Sequence, residues 1–224
     1  MIKIFVDFEM NPIPRKYEEE RELCRSEIIQ IGGVALDDDD LIIDEYDQMV
    51  KPVYSSAVAP TIYRLTGITT EMLFEGMSFK ESMYDFANWC DRVSQSKEFM
   101  IYAWSDNDLI QLQKEMLIKD LCRFFDMEFM NVWTDFQYEF CNLIGLSKAL
   151  SLDKAVQALD ISFEGEQHNA LSDAINTAKL YQMSKDEEEL NRLMKPVKEM
   201  MEPGKKLSTS MGSVFDMAMF DFDE

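Results

Sequence analysis

Three β-rich runs follow one another at the start of this 224-residue chain before any helical period begins, and that order restricts the fold more than any other feature. Met1 to Val6 (MIKIFV) is the first, Glu27 to Leu36 (EIIQIGGVAL) the second and Leu41 to Val50 the third, with Asp37 to Asp40 as the hairpin tip between the last two. Four Asp in a row there lack the alternating ligands and closing Glu of an EF-hand, so they read as a solvated turn. Asn11 to Arg25, with Pro12, Pro14 and mixed charges from Arg15, predicts a loop beside the end of the first strand. From Pro60 the pattern turns helical: a short turn at Thr61 to Leu65 stopped by Gly67, then Ser78 to Val93 with Met83, Phe86, Ala87 and Cys90 on one face. Phe99 to Trp104 (FMIYAW) predicts a fourth strand buried on both faces, Asn107 to Phe125 an amphipathic helix, and Asn131 to Thr134 a short fifth strand. Helices follow at Phe136 to Leu143, Leu152 to Leu159 and Asn169 to Met183.

Strands first, then strands alternating with helices, predict an α/β domain on one mixed sheet of about five strands flanked by helices. The length suits one core with an appendage, and the boundary falls near residue 185. Residues 1–185 form the domain, and residues 186–224 a charged helix-like stretch interrupted at Pro196 followed by an acidic tail bearing Met and Phe. Met211 to Glu224 alternates acidic and bulky apolar residues. A disordered end is the plain reading of it, and docking onto the domain, a second copy or a protein partner is the other. The 17 Met are scattered, as gap-filling core residues would be.

Acidic residues outnumber basic ones by 43 to 22, a formal charge of −21, which repels a polyanion approaching at random and excludes a histone-like duplex coat. Handling a nucleic acid then requires locally gathered Lys and Arg, or bound cations that invert the field at one site. Cys24, Cys90, Cys122 and Cys141 show no CxxC spacing, no secretory signal precedes the first run, and no apolar stretch approaches the roughly 20 residues of a membrane span. A cytoplasmic, reducing location without membrane contact is expected.

Asp7 and Glu9 stand at i and i+2 at the end of the first strand, so their carboxylates share a face. Two acids leaving an apolar strand raise each other's pKa unless a counter-charge intervenes, and hard oxygen ligands select magnesium or manganese. The polar start of a loop would look the same. The single histidine, His168, lies in Glu166-Gln167-His168-Asn169-Ala170-Leu171-Ser172-Asp173-Ala174. In one continuous helix His168 and Asp173 would stand about 140° apart. His168 is therefore expected on the loop entering a helix, with Asp173 one turn inside it. Trp104-Ser105-Asp106-Asn107-Asp108 supplies two further acids at the end of the buried strand, one of which is expected to be an N-cap or first-turn residue and the other to join the sheet-end cluster.

Phe5-Val6-Asp7-Phe8-Glu9, Trp104 to Asp108, and His168 with Asp173 resemble in order the three motifs of the DEDDh three-prime to five-prime exonucleases, the proofreading and RNA-trimming group with a ribonuclease H-like fold. The likeness spans roughly residues 1–185 and continues in Asn176-Thr177-Ala178 and in Leu65-Thr66-Gly67-Ile68-Thr69, which resembles the family's segment against the terminal nucleotide. It implies that Asp7, Glu9, Asp108 and Asp173 hold two Mg2+ or Mn2+ ions, with Asp108 preferred over Asp106 and that choice open. It implies that His168 is the general base, an imidazole being suited to taking a proton from water near neutral pH. Met10, Leu65 and Ile68 are candidates for an apolar wedge under the terminal base, with Thr66 and Gly67 beside them, although each apolar side chain serves equally well in a core. The expected substrates are single-stranded ends, RNA favoured over DNA. The rivals are a catalytically silent nucleic-acid or protein-binding module of the same fold and a ribonuclease H-like endonuclease. The acidic charge and the segment beyond Lys185 are departures from the family's pattern.

Overall fold

In the computed structural model, which describes residues 1–95, 97–123 and 131–201, the three opening runs pair as expected. β1 (Ile2–Pro12) lies antiparallel to β2 (Ser26–Leu36), and β2 antiparallel to β3 (Ile42–Lys51). Helix α1 (Glu18–Leu23) sits in the stretch expected to be loop. Then come α2 (Pro60–Thr66), α3 (Thr70–Glu75), the two-residue β4 (Met77–Ser78) and α4 (Phe79–Ser94). β5 (Phe99–Ala103), α5 (Asn107–Ile118), β6 (Trp133–Asp135), α6 (Phe136–Leu143), α7 (Leu152–Ala158), α8 (Ala170–Met183) and α9 (Glu187–Met201) complete the described chain. The strands form a six-stranded mixed sheet in the order β4-β3-β2-β1-β5-β6, with β5 parallel to both β1 and β6.

The first strand is longer than its apolar run. It continues through Asp7 and Glu9 to Pro12 because β2 offers an unbroken partner down to Ser26, with a register shift at Glu9/Met10. Both acids therefore belong to paired strand and not to a loop. α4 starts as its sequence indicates: Ser78 Oγ accepts from the Glu81 N–H at 3.3 Å while Glu81 accepts from the Ser78 N–H at 3.0 Å, a reciprocal cap. At the other end of the chain, α9 runs through Pro196 where a break was expected. Leu190 and Met194, one turn apart and fully buried, hold it to the domain core, which offsets the roughly 3 kcal/mol that an interior Pro costs a helix. α5 ends at Ile118, short of the expected helix to Phe125, because Asp120 turns the chain with φ +51° and residues 119–123 are not helical; residues 124 and 125, and the tail from 202 to 224, lie outside the described residues.

Alternation along β1 assigns its side chains to two cores. Ile4, Val6 and Phe8 join Ile31, Phe86, Trp89 and Leu112 beneath α4 and α5. Phe5 points the other way, stacking with Tyr102 at 5.1 Å and meeting Tyr181 of α8 at 5.2 Å. By the same period Asp7 and Glu9 emerge on the α8 side. Among the described residues no helix is long and apolar enough to cross a membrane.

Candidate active site

α8 reaches the sheet through a contact that only glycine permits. A Cβ on Gly32 would lie 2.0 Å from the Ala170 carbonyl carbon, so the first turn of α8 rests directly on the backbone of β2. Gly32 pairs with Asp7, which brings the helix start over the acids of β1. Gln30, fully buried two pairs further on opposite Glu9, accepts from the Ala170 N–H at 3.2 Å and donates to Asp47 at 2.8 Å. Asn169 caps α8 by accepting from the Ser172 N–H at 3.0 Å, and Asp173 falls in the first turn.

His168 precedes that cap with φ +62°, a left-handed conformation unusual for a side-chain-bearing residue, and stays exposed. Its backbone N–H faces the Asp173 carboxylate and favours the charged form. Ligand-type atoms of Glu9, His168 and Asp173 lie within 4.8 Å of one another. From the opposite side Asp108, 6% exposed in the first turn of α5, accepts from the Phe8 N–H at 3.1 Å. Asp106 is exposed at the N-cap of α5, and its side chain makes no capping hydrogen bond.

The charge balance of this group is unfavourable as it stands. Burial pushes the Asp7 carboxyl well above the usual range, and Asp108, Asp173 and Glu9 push it further. Glu9 is raised to about 8 by burial and then by Asp173 and Asp108. Asp108 is raised to about 7 by burial, against the Phe8 N–H, and Asp173 to about 6 by burial, against the His168 N–H. Among the described residues no Lys or Arg pairs with any of the four. Buried and half-buried carboxylates that repel one another, with no protein cation among the described residues to relieve them, are a donor set suited to hard divalent ions.

The residues expected to meet the substrate are distributed unevenly. Leu65 is 52% exposed at the end of α2, and Gly67 closes that helix with φ +69°. Met10 is half-buried beside the core under α5. Thr66 is also half-buried, with its hydroxyl turned back to the Ile62 carbonyl. Ile68 is 2% exposed and packs with Ile29 and Leu73, so its side chain belongs to the core and cannot act as a wedge. The α2 segment is tied to β1 by fully buried Asn11, which donates to the Ala57 carbonyl at 3.2 Å and accepts from the Ala59 N–H at 2.8 Å. Sequence reasoning gave no role to Gln30, Gly32 or Asn11 and named Asn176 only within the family-like run. The signals were a glycine pair inside a β-rich run and an Asn among the apolar positions of a helix.

Comparison with known proteins gives the family and the fold. The model of the exonuclease family RNase_T matches residues 4–181. ERI1 exoribonuclease 2 of Homo sapiens is 28% identical over 173 residues, 69% of this chain and 24% of that protein. The Mus musculus protein of the same name is 27% identical over 196 residues, 79% of this chain and 27% of that protein. The chain thus spans about a quarter of the length of these relatives. Among solved structures, the nuclease domain of 3'hExo, a DEDDh family member bound to rAMP, superposes with a TM-score of 0.70 at 18% identity, covering 83% of this chain and 92% of that one. Cell-death related nuclease 4 gives 0.68 at 21%, covering 83% and 64%. At these identities the structural likeness is one of fold.

Proposed function

Since the chain belongs to the exonuclease family RNase_T, we propose that it removes nucleotides from the three-prime end of single-stranded RNA or DNA, RNA favoured, with two Mg2+ or Mn2+ ions held by Asp7, Glu9, Asp108 and Asp173. The observation that carries the reading is that those four carboxylates, from β1, α5 and α8, are each raised by burial and three are raised further by a neighbouring acid, while ligand-type atoms of Glu9 and Asp173 lie within 4.8 Å of one another and of His168. Bound divalent ions would supply activation of the attacking water and neutralisation of charge on the phosphate and the leaving oxygen.

The chain's own residues account for the rest. His168, exposed at the rim and within reach of Glu9 and Asp173, accepts the proton of the attacking water on a ring nitrogen, a contribution of roughly 100- to 10,000-fold. Leu65 offers an apolar surface for the terminal base, which suits unpaired ends and gives little sequence preference. Residues 1–185 are the catalytic unit in this reading, with α9 packed on it. Free Cys24, Cys90, Cys122 and Cys141 suit a reducing cytoplasm.

The test is a matched pair of five-prime-labelled RNA and DNA oligonucleotides with Mg2+ or Mn2+. Stepwise shortening toward the label, abolished by chelator and faster on RNA, is the expected result. Undiminished activity in excess chelator would overturn the reading, and cleavage of a circular strand would reassign the protein to the endonucleases.

A further inference from the structure

The loop that delivers His168 is fastened at one point by a residue that touches none of the reacting groups. Asn176 lies in the middle of α8, fully buried. Its Oδ1 accepts from the Glu164 N–H at 3.0 Å, and its Nδ2 donates to the Glu164 carbonyl at 3.0 Å and to the Ser172 carbonyl at 2.7 Å. Both backbone groups of Glu164 are thus satisfied by one side chain, as they would be by a neighbouring strand. A Glu164–Lys179 ion pair adds an exposed link to the same helix.

Between this clamp and the helix cap only four residues remain, Gly165 to His168, and they make a tight return. Gly165 has φ +74°, and a Cβ there would lie 2.1 Å from Ser172 Oγ. Gln167 donates to Asp153 of α7 at 2.5 Å. His168 then takes its left-handed backbone, and Asn169 begins α8. A chain fixed at both ends over so short a span has few ways to place the residue before its end. Loosening the clamp at Glu164 frees the histidine while leaving Asp7, Glu9 and Asp108 on elements to which Asn176 makes no hydrogen bond.

We propose that Asn176 is a positioning residue of this site, closing the Glu164–His168 loop onto α8 so that the imidazole is held over Glu9 and Asp173. The inference rests on the exonuclease reading and concerns the reach of the base. Asn176→Ala removes all three hydrogen bonds. It should lower kcat by about 10- to 100-fold, the scale expected when a catalytic group is displaced by an ångström. KM should stay within about twofold, because Leu65 and the carboxylates remain in place.

A double-mutant cycle separates this role from general support. Because Asn176 acts through His168, Asn176→Ala should cost nothing further in a His168→Ala background. Equal losses in both backgrounds, a change confined to KM, or an unchanged kcat would overturn the inference while leaving the exonuclease reading standing. An inactive wild-type protein would remove both. If Asn176→Ala does not fold, Gly165→Ala decides, since it disturbs the same loop against Ser172 without opening the helix. A fall in kcat that vanishes in the His168→Ala background supports the clamp, and a fall that persists there, or none, rejects it.

Discussion

The backbone N–H of Phe8 donates to the Asp108 carboxylate across 3.1 Å, joining residues one hundred positions apart. Phe8 stands between Asp7 and Glu9, so the main chain of the strand that presents two acids also holds the third. Its side chain faces the opposite core. One residue therefore ties the packing of α4 and α5 to the geometry of the site.

This contact separates Asp108 from Asp106. Asp108→Asn keeps an acceptor for the Phe8 N–H but removes a negative charge from the cluster, so turnover with Mg2+ should fall below detection. Asp106→Asn changes an exposed residue without a capping bond and should leave activity intact and stability within about 0.5 kcal/mol. Initial rates and thermal melts of the two variants check both halves.

The raised carboxyls make the metal-free protein sensitive to pH. A folded-state pKa above the unfolded value means that the native state binds more protons, so this group's contribution to stability is complete below about pH 4 and declines as pH rises through 6, 7 and 8, where Asp173, Asp108 and Glu9 titrate. In chelator, Asp108→Asn should therefore melt above the wild type at pH 8, and the gap should close by about pH 4. Divalent ions should raise the wild-type melting temperature more at pH 8 than at pH 5. A gap independent of pH would contradict the mutual repulsion inferred for the cluster.

Leu65 and Ile68 stand three residues apart and should respond in opposite ways. Leu65→Ala removes an exposed side chain and should raise KM for oligonucleotides with little change in melting temperature. Ile68→Ala empties a filled position beside Ile29 and Leu73 and should cost about 2 to 5 kcal/mol. Denaturant unfolding and steady-state kinetics on both variants distinguish a binding face from a core.

His168→Ala should keep the fold, because the side chain is exposed, and much of the metal affinity, because the four carboxylates remain. Its rate at neutral pH should drop by roughly 100- to 10,000-fold. Hydroxide replaces a missing base, so raising the pH should restore part of the loss. A wild-type rate at neutral pH under saturating Mg2+ would remove the histidine from the mechanism.

The sequence carries the acids more openly than the framework that sets them. Asp7 and Glu9 alternate on a strand, and His168 and Asp173 flank a helix start, so local periodicity suffices to group them. The continuation of β1 past Asp7 was hidden because charged residues end an apolar run, while the cause of the continuation is the length of its partner, β2. Ile68 reads equally as wedge or core from sequence for a related reason: around Gly67 exposed and buried residues adjoin without a period, and only the packing of Ile29 from another strand assigns the side chain. The Gln30 to Ala170 hydrogen bond spans 140 positions, beyond the reach of any local pattern.

Gly32→Ala tests the seat of α8. The added methyl would meet backbone atoms that cannot rotate away, so α8 must lift or β2 must bend, at a cost of at least about 1 to 3 kcal/mol. Activity should fall with it, since Asp173 and His168 ride on the displaced end. Thermal melting and the oligonucleotide assay read the two effects separately.

That seat also bears on how freely such a chain can diverge. With no side chain between Gly32 and the first turn of α8, the height of that turn over β2 is gauged there by main-chain thickness, a dimension that side-chain replacement elsewhere does not alter. Core volumes on either face can drift, and helices farther out can shift to follow them, while the gap proposed to receive the ions keeps its width. A ruler made of backbone lets most of the surrounding sequence change without retuning the chemistry.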